Sequence, residues 1–270
     1  MKILILGASG FIGINLSRYL EKKGHEVIAM CRSGAISNFK GECVKWHFGS
    51  RLDDIVLRNV DCAVHLAHDF NGRLGARLTI KETEKNIAEL KSIGVKRQLY
   101  FSSYSAGPYA ISIYGQTKYA IENLCSSANL IIIRPGLVIG NGGIYGRIQK
   151  WAGFLPIIPL PAGGKGGVPI ISIDKLCDLT LRILLKKTAL REYNLFEINP
   201  VSLRRLVLDA AYKKDKTPFI LTFPGEVLIY ILKIFEFLRV PLPINSDNLQ
   251  GFISNQNAGH ISNQSNLSND

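Results

Sequence analysis

A doubly wound α/β fold, with a parallel sheet covered by helices on both faces and a smaller C-terminal lobe, is predicted by three observations. Short apolar runs alternate with longer amphipathic segments through the first two-thirds of the chain. Those short runs are apolar nearly throughout rather than on alternate residues, which marks strands buried on both faces. The first run ends in a glycine turn that opens a helix, the join on which layered α/β architectures are built.

In chain order, strands are expected at residues 3–6, 27–30, 43–46, 62–66, 99–102 and 131–134. Helices are expected between them at 11–23, a short one near 53–58, then 79–93 and 113–127. After Pro135 the texture changes, and glycine and proline cluster from 136 to 169, which predicts long loops. A helix at 174–185, a strand at 193–198 and helices at 202–212 and 226–238 follow. Residues 255–270, rich in Asn and Ser, read as a frayed polar tail.

The 270 residues are 47% apolar, enough for a sizeable core. The formal charge of +12 is either a solvated surface or an attraction for phosphates, on a dinucleotide, a nucleotide-sugar or an anionic lipid. The basic residues are scattered and form no stripe with aromatics, which argues against nucleic acid. The five cysteines make no C-x-x-C pair and have no histidine at ligand spacing, so buried thiols in a reducing, cytoplasmic compartment are expected, and no metal. Gly7, Gly10 and Gly13 interrupt the first apolar run, unlike a signal peptide. No stretch reaches about 18 uninterrupted apolar residues, so no transmembrane helix is expected.

The opening segment, Ile3-Leu4-Ile5-Leu6-Gly7-Ala8-Ser9-Gly10-Phe11-Ile12-Gly13, suits a pyrophosphate. Gly7 allows a tight turn, Gly10 lets backbone N–H groups approach an anion, and Gly13 lets the helix pack on the strand. The anion then lies at the positive end of the helix dipole. Gly7, Ser9, Gly10, Phe11, Ile12 and Gly13 are the candidate dinucleotide contacts here.

The glycine spacing is G-x-x-G-x-x-G. Further along come His65-Leu66-Ala67, Ser102-Ser103, Tyr114-Gly115-Gln116-Thr117-Lys118, Arg134-Pro135-Gly136 and Ile171-Ser172-Ile173-Asp174. In this order they resemble the extended, epimerase/dehydratase-like branch of the short-chain dehydrogenase/reductase superfamily, over roughly residues 1–250. The resemblance implies a Rossmann-type NAD(P)-binding core at 1–135, a substrate lobe with returning core elements at 136–254, and the tail at 255–270. It implies an enzyme that moves hydride between a nicotinamide cofactor and a hydroxyl or carbonyl carbon, with a nucleotide-sugar or similar small molecule as substrate. Relatives pair through helices that include the tyrosine-bearing one, so a homodimer is implied too.

NAD-binding relatives end the second strand in an acid that bonds the ribose hydroxyls. Here that place is taken by Cys31, Arg32 and Ser33. A guanidinium grips a 2′-phosphate well, so Arg32 points to NADP, with NAD as the alternative. The adenine-contacting acid of relatives is replaced by Phe48-Gly49-Ser50-Arg51. Leu66 and Ala67 should let the cofactor lie against the backbone, with His68 an ordinary loop residue.

Tyr-x-x-x-Lys occurs three times, at Tyr19/Lys23, Tyr114/Lys118 and Tyr212/Lys216. Only Tyr114 opens a helix that follows a strand ending in a serine pair. A phenol near pKa 10 is a poor base at neutral pH, and a neighbouring ammonium together with the nicotinamide charge should lower it. By the resemblance, Tyr114 moves the proton, Lys118 also holds the nicotinamide ribose, and Ser103 bonds the reacting oxygen. Only 10 residues separate Ser103 from Tyr114, fewer than in relatives, which leaves Ser105 as an alternative. No Asp-Glu pair follows the serines, against a dehydratase.

For the substrate, the run Pro161-Ala162-Gly163-Gly164-Lys165-Gly166-Gly167 offers N–H groups and an ammonium to a diphosphate, or is simply a flexible connection. Arg147 and Lys150 are further candidates. The segment 227–238, apolar nearly all round, reads as a helix packed in the substrate lobe, or as a peripheral membrane contact suited to a polyprenyl-linked sugar. A reductase or epimerase is the leading reading. The alternative is a non-catalytic NADP(H)-binding sensor or assembly module.

Overall fold

A computed structural model of the chain describes residues 1–52, 57–124, 130–186, 190–240, 242, 244–254 and 260–267. Seven parallel strands form the main sheet: β1 (Lys2–Leu6), β2 (Glu26–Cys31), β3 (Glu42–Lys45), β4 (Cys62–His65), β5 (Arg97–Phe101), β6 (Leu130–Pro135) and β11 (Glu192–Leu195). They lie in the order β11-β6-β5-β4-β1-β2-β3. The order reverses between β1 and β4, which opens a crevice at the strand carboxyl ends.

Helices cover both faces, as the continuous apolar strands require. β1 sends Ile3 and Ile5 to one face, where α1 (Phe11–Lys22) and α5 (Ile173–Leu185) pack, and Leu4 and Leu6 to the other. The Tyr19 hydroxyl donates to Asp178 Oδ1 at 2.9 Å and so joins α1 to α5, away from the crevice. On the second face α2 (Gly72–Ser92) lies beside α3 (Ile113–Leu124), over a small cluster of Ile87, Tyr100, Ile121 and Leu130.

The stretch expected as long loops is largely ordered. It holds β7 (Leu137–Ile139), α4 (Gly143–Ala152), β8 (Ile157–Pro161), a single 3-10 turn (Ala162–Gly164), β9 (Gly167–Val168) and β10 (Ile170–Ser172). Its glycines serve packing: a Cβ at Gly142 or Gly143 would come within 2.4 or 2.9 Å of the Phe11 ring. The loop thus wraps the first residue of α1. The second lobe is completed by β12 (Val201–Ser202), α6 (Leu203–Tyr212), β13 (Phe219–Phe223), α7 (Gly225–Phe237) and α8 (Ser246–Ser254). β8 and β13 form a parallel ribbon whose inner residues join α4 and α6 in a separate core.

Two expectations fall partly outside the described residues. Residues 53–56 of the short helix near 53–58 and 125–127 of the helix at 113–127 lie there, as does Cys125. The helix expected at 79–93 begins seven residues earlier, at Gly72. The tail differs most. Residues 255–259 and 268–270 lie outside the described set, but 260–267 are docked on the sheet edge. Asn194 N donates to Asn263 Oδ1 at 2.7 Å, Ser262 Oγ donates to Phe196 O at 2.6 Å, and Leu267 enters the core at 2% exposure. The Asn and Ser side chains satisfy backbone groups along β11 and the residue that follows it, work that a composition count reads as disorder.

Candidate functional site

The site is assembled at the crevice from three strand ends. The first is the glycine turn. Gly7 has φ +88°, and a Cβ there would lie 2.5 Å from Ala67 N and 2.9 Å from Leu66 C. The carboxyl ends of β1 and β4 are therefore as close as backbones can be, and only glycine fits. A Cβ on Gly13 would meet Ala8 Cα and Gly7 O at 2.7 Å, so α1 is seated directly on the turn. No side chain caps α1 at Gly10. The N–H groups of its first turn have no carbonyl to reach within the helix, and they face the crevice as a donor set for an anion. The cradle fits a dinucleotide diphosphate.

The second part is the end of β5 with the start of α3. Ser112 Oγ accepts from Gly115 N at 3.1 Å, which caps the helix locally. A second cap comes from far along the chain. Asp247, on α8, accepts from Ile113 N at 2.5 Å and from Tyr114 N at 3.2 Å. The second lobe therefore reaches back to fix the first turn that carries Tyr114. Ser103 stands near enough to the Tyr114 hydroxyl to favour its ionised form. Ser103 Oγ lies 3.1 Å from Ser105 Oγ and accepts from Ser105 N at 3.1 Å. Of the two serines, Ser103 meets the phenol and Ser105 braces Ser103.

Lys118, one turn on, is 2% exposed. Its ammonium donates to Phe101 O at 2.7 Å and lies 4.8 Å and 5.5 Å from the ring centroids of Tyr100 and Tyr114. Burial pushes Lys118 down to about 7, with Glu122 pulling the other way. Burial pushes Tyr114 up to about 12, against the opposing pull of Ser103. The phenol was expected to be lowered. In the chain alone desolvation outweighs the opposing influence of Ser103.

The third part is the end of β4. His68 packs edge-on against Tyr114, with ring centroids 4.9 Å apart, and against Phe70 at 4.5 Å. Phe70 in turn stacks on Tyr114 at 6.1 Å. His68 Nδ1 is shut off from solvent without a hydrogen-bond partner, and burial, then Lys118, drive its pKa down to about 3. A neutral imidazole thus forms one wall of the site, where an ordinary loop residue was expected. Behind the site, Arg134 donates to both Glu122 oxygens at 2.8 and 2.6 Å and to Glu192 at 2.7 Å. This pins the back of α3 to β6 and β11 and accounts for the arginine of the Arg-Pro-Gly motif.

The substrate-side candidates separate. Ala162, Gly164, Gly166 and Gly167, but not Lys165, wall a cavity of about 370 Å³, with Ile111, Leu203, Glu226 and Ile229 on other sides. Lys165 is exposed at the end of the 3-10 turn. Arg147 and Lys150 stand exposed on α4 and do not line that cavity. Sequence reasoning missed Asp247, whose cap crosses 134 residues and leaves no local signal. It also missed Glu82 on α2, which accepts from Gly49 N at 2.8 Å beside the strand where an acid was sought.

A three-two-one-four sheet order, a glycine cradle at its switch point and a half-buried Tyr114 beside a buried Lys118 at the strand carboxyl ends are the marks of a dinucleotide-binding α/β protein. The chain belongs to the NAD dependent epimerase/dehydratase family, whose model matches residues 3–156. It is 29% identical over 160 residues to the spore coat polysaccharide biosynthesis protein SpsK of Bacillus subtilis, a match covering 53% of this chain and 55% of that protein. The chain thus spans about half the length of that relative. It is 24% identical over 269 residues to the UDP-glucose 4-epimerase of Vibrio cholerae, covering 86% of this chain and 80% of that one. The fold is shared with the UDP-glucuronic acid 4-epimerase of Bacillus cereus, solved with UDP-glucuronic acid and NAD, at a TM-score of 0.69, 18% identity and coverage of 95% and 99%.

These findings overturn the expectation of NADP. The family is described as NAD dependent, and the Bacillus cereus structure holds NAD. The physical reason lies at Arg32, which stands exposed beyond β2. A solvated guanidinium whose planar fork is not fixed by a neighbour selects no phosphate geometry, so the missing acid carried less weight than it was given.

Proposed function

We propose that the chain is an NAD-dependent enzyme that inverts a hydroxyl-bearing carbon of a nucleotide-sugar by oxidising and re-reducing it. The observation that carries this reading is the Ser103–Tyr114–Lys118 cluster, held at the strand carboxyl ends beside a cradle only glycine permits. The glycine turn, the first turn of α1, Leu66 and Ala67 would hold the diphosphate end of NAD. When bound, NAD supplies a hydride acceptor and donor at its nicotinamide ring, and a positive charge. Tyr114 takes the proton of the substrate hydroxyl and later returns it. Ser103 orients that oxygen from its place beside the phenol hydroxyl. Lys118 holds the ribose side of the cofactor, and its charge, together with that of the ring, draws the phenol down from about 12. The neutral His68, packed edge-on against the phenol, keeps water from that side of it. Gly164, Gly166 and Gly167 line the cavity that would receive the substrate diphosphate, with the exposed Lys165 next to them in the chain.

Incubating the protein with NAD and UDP-hexoses tests this. Proton NMR should show the sugar-ring couplings of the epimer appearing without net NADH release. Tyr114→Phe should lower turnover by at least about a hundredfold while NAD binding, followed by calorimetry, is unchanged. An equally active Tyr114→Phe variant removes the tyrosine from the chemistry. NAD binding without turnover of any nucleotide-sugar favours the non-catalytic module.

A further inference from the structure

Helix α7 presents an apolar stripe to solvent. Val227, Tyr230, Ile234 and Phe237 are 43, 67, 45 and 86% exposed, and Leu238 just beyond is 60% exposed. Spacing of three, four and three residues puts the four on one side of the helix. The opposite side carries Leu228, its one buried residue, towards the lobe. A short soluble helix normally turns its apolar stripe inward, and this one turns it out. The neighbouring ribbon does likewise: Phe219 and Ile157, paired in register, are 66 and 53% exposed.

Charge decides what covers the stripe. Lys233 lies along its edge and Arg239 follows its end, and both are exposed. Lys213, Lys214 and Lys216 precede the ribbon's exposed Phe219, and all three are exposed. Of the acids on α7, Glu236 is exposed but engaged by α8, accepting from Ser246 N at 2.5 Å and Ser246 Oγ at 2.9 Å. Glu226 sits at the far end, in the cavity wall. A second copy would set Lys233 and Arg239 against like charges on a chain of net +12. An anionic lipid surface complements them, takes the apolar stripe into its acyl boundary and suits the rings of Tyr230 and Phe237 at headgroup depth. Among the described residues no helix is long and apolar enough to cross a membrane, so the contact lies in the plane of the surface.

We infer that α7 is an interfacial helix that docks the substrate lobe on an anionic lipid bilayer through Val227, Tyr230, Ile234 and Phe237, with Lys233 and Arg239 reading the negative charge. Docking needs no turnover, so it stands or falls apart from the enzymatic reading. The test is flotation of the full chain with vesicles of phosphatidylcholine alone and of phosphatidylcholine with phosphatidylglycerol, at low and high salt. The protein should float with the anionic vesicles only, and less at high salt. Ile234→Glu/Phe237→Glu should weaken binding at least about tenfold, with circular dichroism and NAD affinity unchanged. Lys233→Glu/Arg239→Glu, confined to exposed positions and safe for folding, should abolish the preference for anionic lipid. No flotation of the wild type at low salt overturns the inference, as does flotation that both variants retain. So does a wild-type dimer that the Ile234→Glu/Phe237→Glu variant splits while lipid is ignored, since the stripe is then a subunit contact.

Discussion

Lys118 carries the sharpest conflict in the molecule: an amine that ordinarily titrates at 10.5 is held at about 7 by burial. The conflict has a stability signature. Below pH 7 both the folded and unfolded chains carry the ammonium, and the fold bears the cost of desolvating it. Between about 7 and 10.5 the unfolded chain alone is protonated, so stability rises with pH across that window. Tyr114, held at about 12, acts with the opposite sign, but only above its ordinary value of 10. Urea unfolding at pH 7 and pH 9 should therefore show a gain for the wild type that Lys118→Met lacks, the variant being relatively most stable at pH 7 and inactive throughout. Parallel slopes would mean that the amine is solvated. The pair itself was legible, because the spacing of four and the serines upstream single out Tyr114 among three matches. The direction of its pKa was not, since desolvation depends on packing that only the fold brings about, with His68 edge-on to Tyr114 and Tyr100 against Lys118.

At the scale of the element, the helix bearing Tyr114 is fixed at both ends by distant chain. Asp247 holds its first two N–H groups, and Arg134 ties Glu122 in its last turn to the sheet. Asp247→Ala should cost about 1 kcal/mol of stability and lower turnover by about ten- to a hundredfold, because the phenol loses its setting against Ser103. Asp247→Asn keeps an acceptor and should recover most of both. Denaturant midpoints with steady-state rates check this, and equal rates for the Ala variant would make the cap structural only. The β-strands of the core were readable because they are apolar on both faces, and α1 because its glycine turn and periodicity agree. The elements at 137–161 were not, because the glycines that bend around Phe11 look in sequence like loop punctuation. The caps escaped for a related reason: an acid that serves a helix 134 residues away matches no local pattern.

For the molecule as a whole, the C-terminal strip closes an open edge. Residues 260–267 lie along β11, bury Leu267 and set His260 against Ala106 O at 2.7 Å, in the loop between Ser103 and Tyr114. Deleting 260–270 should cost roughly 1.5–3 kcal/mol for the leucine alone and expose strand backbone to self-association. Thermal melting with light scattering reads both, and an unchanged, monodisperse melt would show the strip to be dispensable. The reach of Asp247 also bears on how the protein is made. Its glycine turn and first five strands are complete within 101 residues, so a ribosome-bound fragment can already present a nucleotide cradle. A longer fragment that includes Tyr114 still lacks the cap on its helix, which must wait for residue 247 to emerge and fold back. The cradle and the setting of the phenol are thus built by stretches of chain that leave the ribosome at well-separated times.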